Sequence, residues 1–470
     1  MQRIHQIFLV VALAAIVVSC KTRVAYTKPD LQLPSEFRFT ATADTASIAN
    51  MSWKQFFGDQ TLQQLIEKGI NHNLDLQIAL KQVAASQERL LQAKYLQFPD
   101  INFTTSAQIS RPSKNSMNGQ SLNLFIGKNH VEDYNAAFNL SWEADIWGKI
   151  KNQKEVSKMQ YLQTYEASKA IQTQVIAAIA QGYYNLLMLD KQMKIAESNL
   201  ELSENTLTIT QKMWDSGDAT ALGIQQAKAQ KQSTELLISQ LKQNIAIQEN
   251  ALSILTGEAP NTVNRSLDIA DASMPANISA GLPAALVSRR PDVRQHELAL
   301  LESNALVGIA QANMYPALKI TAGGGINSFK FDNWFQIPAS LFGSALGGIT
   351  QPIFQKRQLK TDLEVAKIQR EKNVLMFRQS VLNAMGEVSD AMASNEQLKT
   401  QELTAVDQVS TLKDGIKNAQ MLYKSGMANY LEVITAQANS LQAELNLASI
   451  KRQRLSSMVD LYRALGGGWK

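Results

Sequence analysis

The sequence predicts a mainly α-helical protein with a smaller transmembrane β portion, built from two internal repeats. Three observations lead to this fold class. Long proline-free stretches keep the apolar spacing of helices and far exceed the usual helix length. Two shorter stretches instead alternate apolar and polar positions, as strands do. The same order of elements then recurs in the second half of the chain, which indicates a repeat.

The beginning of the chain carries the features of an exported, lipid-anchored protein. Residues 1–19 hold Arg3 and a short apolar run, a signal peptide too short to span a membrane. The only cysteine, Cys20, follows Val18-Ser19 and so resembles the bacterial lipoprotein box. We expect cleavage before Cys20 and covalent diacylglycerol and N-acyl lipid on it, which would anchor the protein to a membrane. The alternative is an ordinary signal peptide that ends in cysteine.

The charge pattern bears on possible partners. The net charge is +5, with acidic and basic residues interleaved along the helices. No basic block with interleaved aromatic residues is present, so we expect no nucleic-acid partner. The four histidines are not paired at metal-ligand spacing, and there is no phosphate-binding loop or nucleophile motif. The sequence therefore predicts no enzyme activity, no cofactor other than the lipid and no metal.

The first half of the chain passes from an irregular segment to helix, strands and a helical hairpin. Residues 20–60 contain two prolines and are predicted to be extended, and helical spacing then runs from Asp59 to Gln97. Residues 101–110 and 134–143 alternate apolar with small or polar side chains and flank a polar loop. Their length and alternation match outer-membrane strands, although a half-buried strand of a soluble sheet is the alternative.

A long helix follows these strands and turns back on itself. It is predicted over 153–213, with a turn at Ser216-Gly217 and a returning helix that stops at Gly257. Residues 258–280 are predicted as a linker. Residues 61–280 thus form the first predicted repeat, of helix, two strands and a long helical hairpin.

The second predicted repeat, residues 281–470, follows the same plan. Pro316 takes the place of Pro99, and a strand pattern from 318 to 326 is followed by a Gly-rich return strand near 341–354. The glycines at 323–325 lie inside the strand pattern, which predicts close approach by a neighbouring strand. A helical hairpin then covers 358–466 and turns at Ser425-Gly426.

The repeat restricts how such a chain can be used. Four strands cannot close a barrel, since the smallest outer-membrane barrels have about eight, and an open sheet edge is not tolerated in lipid. Hairpins of very long helices likewise need neighbours to cover their apolar faces. The sequence therefore predicts an oligomeric conduit to which several chains contribute strands and helices.

Four motifs carry a resemblance to a known family. They are Trp53-Lys54-Gln55-Phe56-Phe57-Gly58-Asp59, Asn73-Leu74-Asp75-Leu76, Arg289-Arg290-Pro291-Asp292-Val293-Arg294 and Leu465-Gly466-Gly467-Gly468-Trp469. With these motifs in this order, the chain resembles the outer-membrane efflux protein family, the TolC-like channels. It is most similar to the lipoprotein branch typified by OprM and CusC. The resemblance covers essentially the whole chain.

The resemblance implies a homotrimer in the outer membrane of a Gram-negative bacterium. Three chains would form a twelve-stranded barrel, continued by a long helical barrel in the periplasm. Such a channel is the passive exit duct of a tripartite efflux pump, for drugs or other small molecules. Its implied partners are a periplasmic adaptor, or membrane fusion protein, and an inner-membrane pump of the RND type. The alternatives are a duct for type I protein secretion or metal-ion efflux, and a lipid-anchored coiled-coil scaffold without a pore.

The resemblance also implies a gate at the periplasmic tips of the hairpins. Tyr423 and Glu432 match an aromatic and an acidic position of TolC-like members, and Leu431 matches an apolar pinch position of the lipoprotein branch. Ala428 and Gly223 stand where some members have a basic residue and its acidic partner, so we expect no ionic lock here. The alternative is that Tyr423 and Leu431 pack within the hairpin and Glu432 is solvated.

Overall fold

The computed structural model describes residues 47–265, 267–272, 281 and 283–469, together with Pro29, Pro34 and Phe37. The predicted signal peptide, 1–19, and the predicted lipidation site, Cys20, lie outside these residues. The described chain divides into two compact units. One holds residues 85–161 and 298–375, and the other holds the described parts of 30–84, 162–297 and 376–470.

The elements follow one another in the predicted order. The helices are α1 (Trp53–Phe56), α2 (Gln60–His72), α3 (Leu74–Tyr95), α4 (Met117–Ile126), α5 (Lys149–Asp215), α6 (Ala221–Leu255), α7 (Leu286–Arg289), α8 (Pro291–Ala312), α9 (Gln358–Lys424) and α10 (Tyr430–Ala464). The strands are β1 (Asp100–Ser110), β2 (Val131–Ala144), β3 (Ala317–Ser328) and β4 (Leu341–Thr350). Short 3₁₀ turns lie at Ile48–Asn50, Pro283–Ala285 and Phe331–Asn333.

The four strands form one antiparallel sheet in the first unit, in the order β1-β2-β3-β4. Both strands predicted in the first half are confirmed and extend slightly further than predicted. The return strand is shorter than predicted, because β4 ends at Thr350. The glycine run is confirmed as a place of close approach: a Cβ at Gly325 would lie 2.1 Å from the carbonyl oxygen of Ala136 on β2.

Both long hairpins are confirmed, and their helices match in length. The helices α5 and α9 each have 67 residues, and α6 and α10 each have 35. The helix α5 begins at Lys149, before the predicted start at Gln153. The cause is Asp145, whose carboxylate oxygens accept hydrogen bonds from the backbone N–H groups of Ile150 and Lys151, both at 2.9 Å.

Three segments differ from the sequence prediction. The helix predicted from Asp59 to Gln97 is two helices, because the Asn73 side chain accepts from the Leu76 N–H and donates to the Leu255 carbonyl (3.0 and 2.9 Å). The polar loop between β1 and β2 contains α4, whose N-cap is Ser116. The segment 20–60, predicted to be extended, contains a 3₁₀ turn and α1.

The core of the second unit joins the start of the described chain to its end. The Phe56 ring stacks on Tyr462 of α10, with centroids 4.1 Å apart, and Phe57 is fully buried beside it. The Tyr462 hydroxyl donates to the carbonyl oxygen of Met51 at 2.8 Å. Burial raises the pKa of Tyr462 to about 12. Aromatic packing thus fixes the segment before α2 on the last helix.

Candidate channel surfaces and hairpin tips

The sheet has one apolar face that continues across all four strands. Side chains paired across antiparallel strands lie on the same face. One such row runs from Phe103 through Phe138 and Gly324 to Gly343. The neighbouring row of the same face runs from Ile101 through Leu140 and Ala322 to Ala345. The large side chains of this face are Ile101, Phe103, Ile109, Tyr134, Phe138, Leu140, Trp142, Leu318, Ile320, Ile326, Leu341 and Ile349. Its composition is that of a lipid-facing surface.

The opposite face of the sheet is mainly polar. Asn139 donates to the hydroxyl of Thr104 (2.9 Å), and Asn327 donates to the carboxylate of Asp133 (2.8 Å). A sheet that is apolar on one side and polar on the other has the pattern of strands placed between lipid and water. Among the described residues, none of the helices combines the length and the apolar character needed to cross a membrane.

Aromatic side chains lie at both ends of the apolar face. At one end Tyr134 packs against Phe331 and Trp334, with centroids 5.5 and 5.7 Å apart. At the other end the Trp142 indole donates to the carbonyl of Gln97 at 2.9 Å. Tyr134 and Trp142 are separated by eight residues of β2, or roughly 26 Å at strand rise. That span is close to the apolar band of an outer-membrane barrel, which aromatic girdles flank.

The outer strands of the sheet lack a second neighbour within the described chain. Both β1 and β4 pair on one side only, and every residue of each is exposed. The inner strands β2 and β3 are mostly half-buried. Two unpaired edges therefore flank the apolar face, each able to pair with a further strand.

The tips of the two hairpins have matching local structure. The α5–α6 turn is closed by a hydrogen bond from the Asp218 N–H to the Met213 carbonyl (2.7 Å), and the α9–α10 turn by one from Met427 to Leu422 (2.9 Å). The Asn429 side chain caps α10 by accepting from the Glu432 N–H at 3.2 Å. Each predicted break is thus a glycine turn followed by a capped helix.

The three predicted gate residues occupy different environments in the tip. Tyr423 is buried, and its hydroxyl lies 3.2 Å from that of Thr210 on α5. Leu431 and Glu432 are exposed in the first turn of α10, and the helix dipole favours the Glu432 carboxylate there. The structure therefore brings Tyr423 to the other hairpin and leaves the remaining two on the surface of the protomer.

At Gly223, where the resemblance indicated a missing ionic partner, the structure has an aromatic contact. A Cβ at Gly223 would lie 3.1 Å from the ring of Tyr430, so glycine allows this ring to sit against α6. The sequence analysis missed Thr206 and Gln437, whose side chains join the two hairpins at 2.9 Å. The available signal was a run of polar residues at helical core spacing in α5.

The arginine-rich signature forms an ion-pair cluster around the buried Arg290 in the second unit. Arg290 donates to Glu387 of α9 (2.9 Å), to the Ala464 carbonyl of α10 (3.1 Å) and to both carboxylate oxygens of Asp292 (3.0 and 2.6 Å). Burial alone would raise the pKa of Asp292, but the Arg290 hydrogen bonds and charge hold it below its ordinary value of 3.8. The signature thus ties the start of α8 to the end of α10.

The described residues contain no group of three or more histidine, cysteine or acidic side chains arranged to hold a metal ion. The candidate functional surfaces of the described residues are therefore the two-faced sheet and the hairpin tips.

Comparison with known proteins gives the family of a chain with these surfaces. The sequence profile of the outer membrane efflux protein family matches residues 65–258 and 282–467. The chain belongs to this family. The efflux protein described here is therefore an outer-membrane channel protein, and its family is one of efflux ducts rather than enzymes.

Individual relatives cover almost all of this efflux protein. It is 27% identical over 456 residues to the cation efflux system protein CusC of Escherichia coli, with 96% of each chain covered. It is 31% identical to the toluene efflux pump outer membrane protein TtgC of Pseudomonas putida. The alignment covers 92% of this chain and 87% of TtgC. Its fold superposes on the outer-membrane channel OprN with a TM-score of 0.87, at 25% identity and with 96% and 100% of the chains covered.

Proposed function

We propose that three copies of this efflux protein form the exit duct of a tripartite pump. The duct conducts drugs or other small molecules passively from the pump and its periplasmic adaptor to the exterior. The observation that carries the proposal is the two-faced sheet with two unpaired edges, in a chain that belongs to the outer membrane efflux proteins. In three copies, four strands each give a closed twelve-stranded barrel with its apolar face to the lipid and its polar face to the lumen.

The helices support an assembly of several copies. A groove of about 630 Å³ between α3 and α5 has a mainly apolar lining that includes Ala79, Ile171 and Val175. Beside it, Leu74 and Ile78 are 64% and 67% exposed. A face of this kind needs a cover, and a neighbouring hairpin in a ring provides one. The duct then continues from the barrel as a tube of helices in the periplasm.

Two internal repeats fit this assembly. The hairpin helices have equal lengths in the two halves of the chain, and the family profile matches one stretch in each half. We propose residues 61–280 and 281–470 as the repeats, so that three chains give six similar hairpins. Equal hairpins pack around a ring without gaps of unequal size, which suits a tube.

We propose that the mature protein begins at a lipidated Cys20. The motif Val18-Ser19-Cys20 after a short apolar run supports this proposal, because it positions the only thiol of the chain at the cleavage point. A single acyl chain binds membranes only marginally, whereas several chains anchor stably. The lipid would hold the protein at the membrane, while the strands provide the pore.

The adaptor and the RND-type pump are proposed as partners because CusC and TtgC are components of efflux systems. The two relatives differ in the cargo that their names describe, cations and toluene. Small organic molecules are the first candidate here, since the resemblance extends to general drug exporters. Metal-ion efflux is the second candidate, and the similarity to CusC favours it.

Planar-bilayer conductance of the purified protein tests the pore. We expect discrete single-channel steps from the wild type and also from a Cys20→Ser variant, because the pore is formed by the strands and not by the lipid. Protein that gives no conductance, and that becomes soluble once Cys20 is replaced, would contradict the proposal and favour a coiled-coil scaffold. Growth of a channel-deficient host in toluene or in copper salts separates the two cargo classes.

We propose that Leu431 and Glu432 line the tip constriction with Tyr423 behind them. Both side chains are exposed at the start of α10 in the single protomer, where a ring of copies can bring them together. Three Glu432 carboxylates in one ring would repel each other and attract cations.

Replacing this carboxylate should change conduction. We expect Glu432→Ala to alter the single-channel conductance and to reduce cation preference without affecting trimer assembly, because the Glu432 side chain is exposed and is not part of the packed core. Reversal potentials in a salt gradient measure the preference. Lys424→Ala, at the other side of the same turn, is a matched control. Unchanged conductance in Glu432→Ala would remove this residue from the constriction.

A further inference from the structure

The chain contains two junctions at which a pair of strands passes into a long helix. In the first, β2 leads into α5, which begins at Lys149, and in the second, β4 leads into α9, which begins at Gln358. The residue before each helix has a left-handed backbone, Gly148 with φ of +74° and Arg357 with φ of +66°. This conformation is uncommon outside glycine, so its presence at Arg357 indicates that the two junctions share one backbone geometry.

The two strand pairs also share one register. Asp100, the first residue of β1, pairs with Ser141 of β2. Ala317, the first residue of β3, pairs with Thr350 of β4. Thr350 therefore corresponds to Ser141, and every other position of one strand pair can be assigned to a position of the other.

The first junction is completed by another strand of the same chain. In the sheet that the structure describes, residues 142–144 at the end of β2 pair with residues 318–320 of β3 and with none of β1. Just ahead of β3, the Tyr315 ring stacks on Trp147 with centroids 4.8 Å apart. The Trp147 indole also donates to the carbonyl oxygen of Pro316 at 2.7 Å. The passage from β2 into α5 is thus covered by β3 and by the two residues that precede it.

The second junction has no such cover within the described chain. Residues 351–353 stand where residues 142–144 stand in the first junction, and no described strand pairs with them. Ile353 is 94% exposed, and Phe354 is 83% exposed. Adjacent exposed apolar side chains beside an open sheet edge are typical of an interaction site.

The start of β1 has the complementary surface. Phe98-Pro99 precedes β1 as Tyr315-Pro316 precedes β3. The side chains of Tyr95, Phe98 and Ile101 are each more than half exposed, and the rings of Tyr95 and Phe98 lie 6.0 Å apart. In the first junction the equivalent part of β3 is the part that covers β2.

We infer that residues 351–357 are a docking segment that closes over the start of β1 of a second copy of this chain. The inference deepens the proposed channel function and rests on it, because it names the contact by which neighbouring copies join. The internal junction also assigns the register of that contact. Within the chain Ser141 pairs with Thr321. By the repeat, Thr350 of one copy then lies opposite Thr104 of the next.

This register brings exposed apolar side chains together. Ile353 lies opposite Ile101 of the next copy, on the apolar face of the sheet. Phe354 lies diagonally across from Phe98 of the next copy, a separation that an aromatic side chain can bridge. The contact between copies therefore covers side chains that are exposed to water in the single protomer.

The docking segment also carries a polar group at the position of Trp147. Trp147 and Lys356 each lie two residues before the start of their helix. The Lys356 ammonium can therefore donate to the Pro99 carbonyl of the next copy, as the Trp147 indole donates to Pro316 within the chain. In that position it also lies near the Phe98 ring, which attracts a cation.

Cysteine pairs in the full-length, membrane-inserted protein test the register. In a Cys20→Ser background, Thr350→Cys with Thr104→Cys should form disulfides between copies, up to a trimer, because directly paired positions have Cα atoms within disulfide range. The matched control is Thr350→Cys with Ser106→Cys. Ser106 lies on the same face as Thr104, but two residues further along β1, or roughly 7 Å. This shifted pair should form few disulfides.

The possible results separate the docking segment from the channel proposal. Disulfides in the shifted pair alone would overturn the register and leave the ring of copies. Disulfides in neither pair would overturn the docking segment, and the channel would stand only if the same protein still gives single-channel steps.

Phe354→Ala tests the apolar part of the contact. Because Phe354 is exposed in the single protomer, the variant should fold normally, which circular dichroism checks. Its trimer should dissociate at least roughly tenfold faster on heating in dodecyl sulfate, since a covered aromatic ring is lost. Phe335→Ala is the matched control, because Phe335 is also exposed but lies in the loop between β3 and β4. Equal dissociation rates in the two variants would overturn the role of Phe354.

Discussion

At the scale of single residues, Arg290 connects three helices of the second unit. It is 7% exposed, and it reaches a carboxylate of α9, a carbonyl of α10 and the Asp292 carboxylate of its own signature. A buried guanidinium without these partners would be costly, so the acidic groups must be present together with it. The signature thus acts through charge pairing that joins three helices.

Asp292 should make the stability of the protein depend on acid. Because its pKa is lowered in the folded state, its contribution is present above pH 3.8 and is lost as the pH falls through the lowered value. We expect Asp292→Asn to lower stability at pH 7 by about 1 kcal/mol or less, since the carboxylate is half exposed and partly screened. The loss should shrink as the pH falls below 3.8, where Asp292 of the unfolded chain becomes protonated, and should vanish below the lowered pKa of the folded protein.

Thermal unfolding followed by circular dichroism at pH 7 and pH 3 checks this expectation. Asp390→Asn is the control, because Asp390 is an exposed carboxylate of α9. An equal decrease in melting temperature for Asp292→Asn at both values of pH would show that the Arg290 pairing has no role in the acid dependence.

At the scale of elements, the glycine turns that end the helices of the first hairpin differ in their surroundings. Gly217 and Gly257 both have left-handed backbones, with φ of +89° and +76°. A Cβ at Gly217 would meet no atom within 4 Å, whereas one at Gly257 would lie 2.3 Å from the carbonyl oxygen of His72. The tip turn is therefore open, and the turn after α6 is packed against α2.

These two glycines allow a matched pair of substitutions. Gly217→Ala should cost about 1 kcal/mol of unfolding free energy, the penalty of a left-handed backbone with a side chain. Gly257→Ala should cost clearly more, because the added methyl group meets a backbone atom that cannot rotate away. Urea unfolding of both variants measures the difference. Equal losses would mean that α2 moves aside freely at Gly257.

At the scale of the whole molecule, the open sheet edges predict contacts between copies. In a Cys20→Ser background, cysteines at Ser106 of β1 and Ser344 of β4 would be the only thiols of the chain. If β1 of one copy pairs with β4 of the next, a short bismaleimide should link copies up to a trimer and no further. The analogous pair on the inner strands, Ser141→Cys with Thr321→Cys, is directly paired within the chain and should give linked monomers only.

Denaturing gel electrophoresis after reaction in the membrane distinguishes these outcomes. A ladder that continues past the trimer would contradict a closed ring of three copies. Monomer alone from the edge cysteines would contradict β1–β4 pairing between copies.

Much of the element order followed from the sequence because it depends on local periodicity. The strands near Phe103 and Phe138 and both hairpins were predicted because alternation and helical spacing are written in neighbouring residues. The helix α4 was missed because it lies in a polar loop with little periodicity of its own. The break at Asn73 was missed because one of its two bonds is to Leu255, far away in the chain.

The sequence by itself determined the two-faced strands, the hairpins, their turns and the family, since these follow from short-range patterns and motifs. Only the tertiary structure decided which polar residues meet. Gln437 and Thr206 lie 231 positions apart, and no local pattern states that one donates to the other or that the Gln437 carbonyl has no partner. Tyr423 is predicted from the resemblance, but its contact with Thr210 depends on how two hairpins pack. Hydrogen bonding between distant segments is set by that packing, which periodicity alone does not fix.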